Sequence, residues 1–453
     1  MHFSKIAREY RDPEKMALAY LSSYFGDQKI EYPINPFQML KDEGILFLFS
    51  DFSKLEGVYI PASGQDDISF VGININRPIT RQRFTAAHEL CHHFKDADKK
   101  ISCPIYGNKS KIEKFADSFA AAVLMPINEL RRQVKKRQKQ REDITFDQVL
   151  EIAEYFGVSF EACLFRIAYH VHAISGDTEA SALKKRKKSY APDKKRKAKH
   201  MTYSKLYAGL IDCYQEQLSL EQTDHARFLF QSNYIYNDSR MEGLDVTREQ
   251  AAEIVTDLRL NARHSKYCKE ENEAYLSVAG HFEMYQDIFA DRGMDKLSVF
   301  DIFQINRKLF LYYPHPEFGG SIRQSNTLVF GARFETTDYH NIIKDLMELD
   351  EEVKEFYERH KQIPTSEYVM HVARTHHRIT QIHPFAEGNG RTARAFMNLQ
   401  LVRAGLTPVY IKAENKIQYI NALERADEYG DYDELYEVIF ESMLRLSVDL
   451  RIE

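Results

Sequence analysis

The chain has 453 residues, of which 43% are hydrophobic and 28% charged, and its formal net charge is -5 at pH 7. This length predicts two or three domains, and the composition excludes disordered, collagen-like and disulfide-framework proteins. No apolar run approaches the roughly 18 to 20 residues that a membrane span needs, and the first residues lack the apolar core of a secretion signal. A cytoplasmic protein without membrane contact is therefore expected.

The cysteines are scattered, odd in number and without CxxC spacing. This pattern predicts free thiols and indicates neither a disulfide framework nor a thiolate zinc site. They are Cys91, Cys103, Cys163, Cys213 and Cys268.

The patterning changes along the chain from mixed to helical. Segments such as KLEGVYIPAS and ISFVGININ alternate like short strands and precede helical patterns, so residues 1–175 are predicted to be an α+β domain. Residues 184–199 hold ten basic side chains and one acid, and a solvated basic linker is predicted over residues 176–203. Residues 204–453 are predicted to be a mainly α domain.

A metal-binding pattern, HExxH, lies in the predicted helix RFTAAHELCHHF. One helical turn puts His88 and His92 on the same face to grip a metal ion and leaves Glu89 beside the metal-bound water. A second predicted helix carries Glu113 and Asp117 on one face, because they are four residues apart. Glu113 is therefore available as a third ligand, and hydrolysis is the chemistry that the pattern indicates.

The stretches RQRFTAAHELCHH and IEKFADSFAAAVLMP resemble the ImmA/IrrE family of metallopeptidases, over about residues 10–170. The resemblance implies a zincin-like domain that binds Zn²⁺, with Glu89 as general base. It implies as metal ligands His88, His92 and Glu113. It also implies that a helix-turn-helix-like end, at about residues 145–170, packs on the peptidase domain itself. Cys91 stands where the family usually has glycine, so a zinc-bound domain without proteolysis is an alternative.

A second motif, HPFAEGNGRTAR, occupies residues 383–394. Its glycines expose backbone N–H groups at a helix start, where an anion is favoured, and its arginines can hold further phosphate oxygens. The glutamate can hold a divalent cation against the phosphates, and the histidine can accept a proton from an incoming hydroxyl. The residues that would act are His383, Glu387, Gly388, Asn389, Gly390, Arg391 and Arg394.

This motif is that of the Fic (Fido) family, which the chain resembles from about residue 204 to 450. The resemblance implies transfer of AMP from ATP, with Mg²⁺, to a Tyr, Thr or Ser hydroxyl of a protein substrate. It implies that a β-hairpin flap from Gly320 to Gly331 docks the substrate, and that Tyr419 lies in the adenine pocket. It further implies an inhibitory helix, in which Glu242, followed by Gly243, pairs with Arg394. Asp238 takes the usual Ser/Thr position of that motif.

The interpretation preferred is a multidomain adenylyltransferase restrained by Glu242 and coupled to a zinc metallopeptidase-like domain. One alternative is a metallopeptidase that cleaves a regulator protein, with the Fic domain as sensor or modifier. A second is a nucleic-acid-associated regulator that uses the basic linker, although a solvated linker is the favoured interpretation of that charge. The oligomeric state, the target, and transfer of another group or removal of AMP stay open.

Overall fold

The computed structural model describes residues 3–64, 67–97, 99–105, 110–139, 142–218, 224–269, 271–288, 297–329 and 334–449. The chain divides into two compact units, Met1–Cys213 and Tyr214–Glu453. No helix of the described ranges is both long enough and apolar enough to cross a bilayer.

The N-terminal unit is a small mixed sheet covered by helices. Its strands are β1 Leu46–Ser50, β2 Leu55–Ile60, β3 Phe70–Asn74 and β4 Ile101–Pro104. The sheet order is β1-β3-β2-β4, with β1 parallel to β3 and with β2 antiparallel to both β3 and β4. Its helices are α1 Phe3–Ala7, α2 Pro13–Phe25, α3 Pro36–Asp42, α4 Ile79–Lys95, α5 Lys111–Leu124, α6 Ile127–Arg137, α7 Phe146–Phe156, α8 Phe160–Arg166, α9 Ala180–Tyr190, α10 Pro192–Ala198 and α11 Ser204–Tyr214.

The helix-turn-helix-like segment packs inside its own unit. A capping box between Thr145 and Gln148 starts α7, and Gly157 ends it in the left-handed conformation, where glycine carries no steric penalty. None of the side chains of α8 is exposed, and α7 and α8 join the core formed with α4 and α5. A recognition helix for DNA would present an exposed face, so α8 does not have the surface that base reading requires.

The prediction of a solvated linker over residues 176–203 is wrong, because α9 and α10 lie there. Leu183 is fully buried in the core around α7 and α8. Lys187 pairs with Glu161 of α8, and Arg196 pairs with Glu154 of α7. Acidic side chains distant in sequence thus neutralise part of the basic run and hold it as helix, and the unit extends to Cys213.

The described residues of the C-terminal unit form helices joined by loops, and among them the only β pairing is an isolated bridge. Its helices are α12 Asp224–Met241, α13 Arg248–Asn261, α14 Glu273–Ile288, α15 Asp301–Leu309, α16 Ile342–Arg359, α17 Thr365–Ile382, α18 Asn389–Arg403, α19 Lys416–Tyr429 and α20 Asp433–Asp449. The central pair is α17 and α18; α18 is buried along most of its length. The predicted fold class, an α+β domain followed by a mainly α domain, is confirmed.

The predicted hairpin flap is not found in the part of it that the structure describes. Residues 320–329 form no strand, and their backbone pairs with the motif loop instead, through an isolated bridge between Ile322 and Phe385. Gly331 lies outside the described residues. None of the five cysteines forms a disulfide.

Candidate functional sites

The first site lies where α4 and α5 cross beside the sheet. His88 and His92 are one turn apart on α4, and their Nε2 atoms lie 3.1 Å from each other. Glu113, in the first turn of α5, brings its carboxylate to 3.2 Å from His88 Nε2 and 3.6 Å from His92 Nε2. All three residues are buried. The three predicted metal ligands are therefore together.

Each histidine is oriented through its other ring nitrogen. His88 Nδ1 lies 3.0 Å from Asp117 Oδ1, and His92 Nδ1 lies 3.1 Å from Asp96 Oδ2. A carboxylate that accepts the Nδ1 proton fixes the tautomer with Nε2 free to bind a metal ion. Asp96 was missed by the sequence reasoning, although its spacing of four residues after His92 could have indicated it.

Glu89 completes this site. Both of its carboxylate oxygens are buried and accept no hydrogen bond from any described residue. Burial raises the pKa of Glu89 to about 7, where a general base works best at neutral pH. Buried carboxylate oxygens without donors are costly, so a divalent cation between His88, His92 and Glu113 fits the residues present.

The second site is the loop between α17 and α18. His383 ends α17 in the left-handed conformation, with φ of 52°, and its Nδ1 lies 3.3 Å from the carbonyl oxygen of Thr380. Donation from Nδ1 to that carbonyl leaves Nε2 as the proton acceptor. Burial is the main reason that the pKa of His383 is lowered from its usual value. The imidazole is therefore neutral at pH 7, as a general base must be.

The loop that follows His383 is held by its own residues. The Asn389 side chain accepts from the N–H of Phe385 at 2.9 Å and donates to its carbonyl at 2.8 Å. Phe385 is buried and lies edge-on to Phe303. Gly388 has φ of 76°, and a Cβ there would lie 2.8 Å from the Phe310 ring. Asn389 therefore shapes the loop from within, and Gly388 is required by both backbone and space.

The start of α18 can hold an anion. The helix begins at Asn389 and receives no side-chain cap from the described residues, so its first N–H groups are available. Arg391 is buried, donates to Ser277 Oγ at 3.1 Å, and has an Nε with no hydrogen-bond partner in the described ranges. Glu387 is exposed beside this helix start. Phosphate oxygens with a cation fit these donors and this carboxylate.

Arg394 is held by two carboxylates. It donates from Nη2 to Glu242 Oε1 at 2.5 Å and from Nε to Asp238 Oδ1. Asp238 also accepts from His281 Nε2 at 2.8 Å. Burial raises the pKa of Asp238, but Arg394 and His281 outweigh burial and lower it to about 2. The predicted contact between Glu242 and Arg394 is present, and the contact from Asp238 was missed.

Gly243 and Gly390 accommodate that contact. Gly243 has φ of 85° directly after Glu242, where the chain leaves α12. A Cβ at position 390 would lie 3.1 Å from Arg394 Nη1 and 3.3 Å from Glu242 Oε1. A side chain at either position would therefore strain or crowd the ion pair.

Tyr419 is buried, and its hydroxyl lies 2.9 Å from His376 Nε2. Its side chain also interacts with Arg394 of the second site. The adenine contact predicted for Tyr419 stays a prediction.

Arg323 joins residues 320–329 to the catalytic loop, and sequence reasoning missed it. Its Nε donates to the carbonyl of His383 at 2.8 Å, its Nη1 to that of Ser325 at 2.7 Å, and its Nη2 to that of Thr337. Its backbone N–H donates to Pro384 at 3.0 Å. The Arg323 side chain is buried. Its guanidinium therefore holds His383 in place through the backbone carbonyl of His383.

We expect Arg323→Ala to loosen the loop around His383. Four backbone carbonyls, including that of Ile382 at 3.4 Å, would lose a charged donor. This loss lowers the free energy of local opening by about 2 kcal/mol and speeds amide exchange roughly 30-fold. Hydrogen exchange of residues 383–394 measures this. Arg359→Ala is the control, because the ion pair of Arg359 with Glu355 is exposed. Equal exchange in the two variants would remove Arg323 from this role.

The N-terminal unit thus carries a buried cluster of histidines and carboxylates, and the C-terminal unit carries the loop motif at the start of α18. Residues 40–168 match the sequence model of the IrrE N-terminal-like domain, and residues 296–401 match that of the Fic/DOC family. The chain therefore contains an IrrE-like peptidase domain followed by a Fic domain, as the motifs predicted.

Individual proteins are similar to parts of the chain. Protein adenylyltransferase Fic of Aedes aegypti is 29% identical over 198 residues, which are 44% of this chain and 37% of that protein. The protein of the same name from Culex quinquefasciatus is 30% identical with the same coverage. The chain thus spans well under half the length of these relatives. Fic-1 of Caenorhabditis elegans, a solved structure, is 17% identical with a TM-score of 0.44, covering 72% of this chain and 96% of that one.

Proposed function

We propose that the C-terminal unit transfers AMP from ATP to a Tyr, Thr or Ser hydroxyl of a protein. The observation that carries this proposal is the neutral, half-buried His383 beside an uncapped helix start that holds Arg391 and Arg394. The relatives from Aedes aegypti and Culex quinquefasciatus are named protein adenylyltransferases. The general base and the hydrogen-bond donors that can hold phosphate are thus adjacent, as nucleotidyl transfer requires.

In the proposed reaction the substrate hydroxyl oxygen attacks the α-phosphorus of ATP. The bond from that phosphorus to the bridging oxygen breaks, pyrophosphate leaves, and the hydroxyl proton passes to His383 Nε2. The N–H groups at the start of α18 and Arg391 hold phosphate oxygens. Glu387 would hold Mg²⁺, which neutralises phosphate charge when bound.

The transfer of label tests this proposal. Full-length chain is incubated with Mg²⁺, a cell lysate and ATP labelled at the α- or, separately, at the γ-phosphate. Label from the α-position alone should appear on protein. Label from the γ-position would indicate a kinase, and label from neither would direct attention to another donor nucleotide or to removal of AMP.

Autoinhibition is the second part of the proposal. Arg394 lies one turn into α18, and two carboxylates already neutralise it. While Glu242 and Asp238 hold the guanidinium, it cannot also hold a γ-phosphate. The basal rate should therefore be low in the full chain.

The N-terminal unit is proposed to bind Zn²⁺ through His88, His92 and Glu113. Bound zinc supplies a Lewis acid that lowers the pKa of its water, and Glu89 is placed to accept a proton. Hydrolysis of a peptide bond in a regulator protein is the second candidate function, favoured by the two Glu89 oxygens, which accept no hydrogen bond from the residues that the structure describes.

Elemental analysis measures the metal. We expect about one zinc per chain, lost in His88→Ala because two nitrogen ligands and one carboxylate cannot be reduced to two ligands without a large loss of affinity. Glu89→Gln is the matched control, since it alters the neighbouring residue and should keep the zinc. A folded wild-type chain without metal would contradict the site.

A further inference from the structure

A thiol lies beside the metal ligands of the N-terminal unit. The ligand atoms of His88, Cys103 and Glu113 all lie within 4.8 Å of one another, and the three residues are buried. His92 Nε2 approaches the same point, at 3.1 Å from His88 Nε2 and 3.6 Å from Glu113 Oε1. The thiol also hydrogen-bonds the His88 side chain. Four side chains with metal-binding atoms therefore surround one position.

The sheet register brings Cys103 to this position. Cys103 lies on β4, the edge strand next to β2, where it pairs with Gly57 across an irregular register. A Cβ on Gly57 would lie 2.5 Å from Thr85 Cγ2 and 2.6 Å from Glu89 Oε1. The missing side chain thus lets α4 approach the sheet, which carries His88 and Glu89 towards Cys103.

The electrostatics of this cluster call for a cation. Glu89 is fully buried, and neither of its oxygens accepts a hydrogen bond from the described residues. Glu113 is also buried, with its carboxylate 3.2 Å from His88 Nε2 and 3.6 Å from His92 Nε2. Two carboxylates buried this close together require compensating positive charge. A neutral thiol beside these carboxylates would supply no positive charge. A metal ion would compensate the carboxylate charge and bind the sulfur as well.

We propose that Cys103 is a fourth protein ligand of the metal site, with His88, His92 and Glu113. The inference rests on the proposed zinc site and extends it. Sulfur and nitrogen are the ligands that zinc favours, and a site with four protein ligands has the closed arrangement of structural zinc. In this state the position that a hydrolytic site keeps for water is taken by sulfur, so peptide hydrolysis requires Cys103 to leave first.

Cobalt(II) is the probe that reads sulfur ligation directly. Full-length protein is stripped of metal and titrated with Co²⁺, and its absorption is recorded. We expect about one Co²⁺ per chain, with the visible bands of four-coordinate cobalt and a near-ultraviolet charge-transfer band from a thiolate. Cys103→Ser should lose the near-ultraviolet band and bind zinc at least about tenfold more weakly in a chelator competition. Cys91→Ser, which alters a buried thiol on α4, should keep both.

Each result bears on a different claim. Co²⁺ binding to the wild type without a thiolate band overturns the role of Cys103 and leaves the three-ligand zinc site standing. Absence of Co²⁺ and Zn²⁺ binding overturns the metal site as well. A thiolate band that persists in Cys103→Ser and disappears in Cys91→Ser would identify Cys91 as the sulfur ligand. This result also overturns the inference. The wild-type spectrum decides the first two cases even if Cys103→Ser fails to fold.

Discussion

Replacing His383 with alanine is expected to lower transfer of α-label by about 10² to 10⁴-fold, the usual contribution of a general base. The Nδ1 contact with Thr380 at 3.3 Å leaves Nε2 to accept the substrate proton, and alanine removes this acceptor. The loop itself should persist, because Asn389 and Arg323 hold its backbone carbonyls. The loss should therefore appear in kcat, with KM for ATP nearly unchanged.

His340→Ala is the matched control, since this histidine is exposed and contacts Asp338. It should transfer label as the wild type does. Loss of transfer in His340→Ala, or full activity in His383→Ala, would contradict the assignment of the base.

The pH dependence of transfer by the wild type provides a second test of His383 as the base. Burial lowers the pKa of His383 below its ordinary value of 6.5, and a base acts only when deprotonated. Transfer should therefore rise as the pH increases through this lowered pKa, with the midpoint of the rise below pH 6.5. A rise centred above pH 6.5 would mean that another group limits the reaction.

What the sequence could predict was local. HExxH and the loop motif place their residues within one helical turn or one tight loop, so spacing alone brings His88 to His92 and His383 to the start of α18. The proposed third ligand, Glu113, could also be predicted, because its helix has an apolar pattern of its own and resembles the corresponding stretch of the ImmA/IrrE family. Within each motif the residues that come together are close in sequence, so their arrangement depends little on the rest of the fold.

What it could not predict depends on distant contacts. Cys103 has no CxxC partner, and only the register between β4 and β2 carries it to the metal ligands. Arg323 donates to the backbone carbonyl of His383, 60 residues away, and every residue type has such a carbonyl, so the sequence does not indicate the contact. The charge run of α9 and α10 has the composition of a linker, but it is helical. Leu183 packs in the core, and two basic side chains of the run pair with Glu154 and Glu161 of neighbouring helices. These contacts are distant in sequence and could not be derived from the run itself.

The largest gain in activity is expected when both carboxylates on Arg394 are neutralised. Glu242→Gly removes the contact at Nη2 but leaves Asp238 on Nε, and a buried carboxylate in a charged contact holds a guanidinium strongly. We therefore expect a modest rise in transfer from Glu242→Gly alone. Asp238→Asn together with Glu242→Gly should raise it at least about tenfold further, because asparagine keeps the shape and removes the charge.

Asp238→Asn by itself is the control that separates an effect on the inhibition of transfer from an effect on the stability of the fold. Its carboxylate also pairs with His281, so its melting temperature should fall somewhat while its transfer rate stays low, because Glu242 still occupies Arg394. The two carboxylates then show non-additive effects on rate, as expected when either one alone withholds the arginine from phosphate. Equal rates in Glu242→Gly and the double variant would show that Asp238 does not restrain Arg394. A double variant no faster than wild type would show that neither carboxylate is inhibitory, even though both contact the same guanidinium.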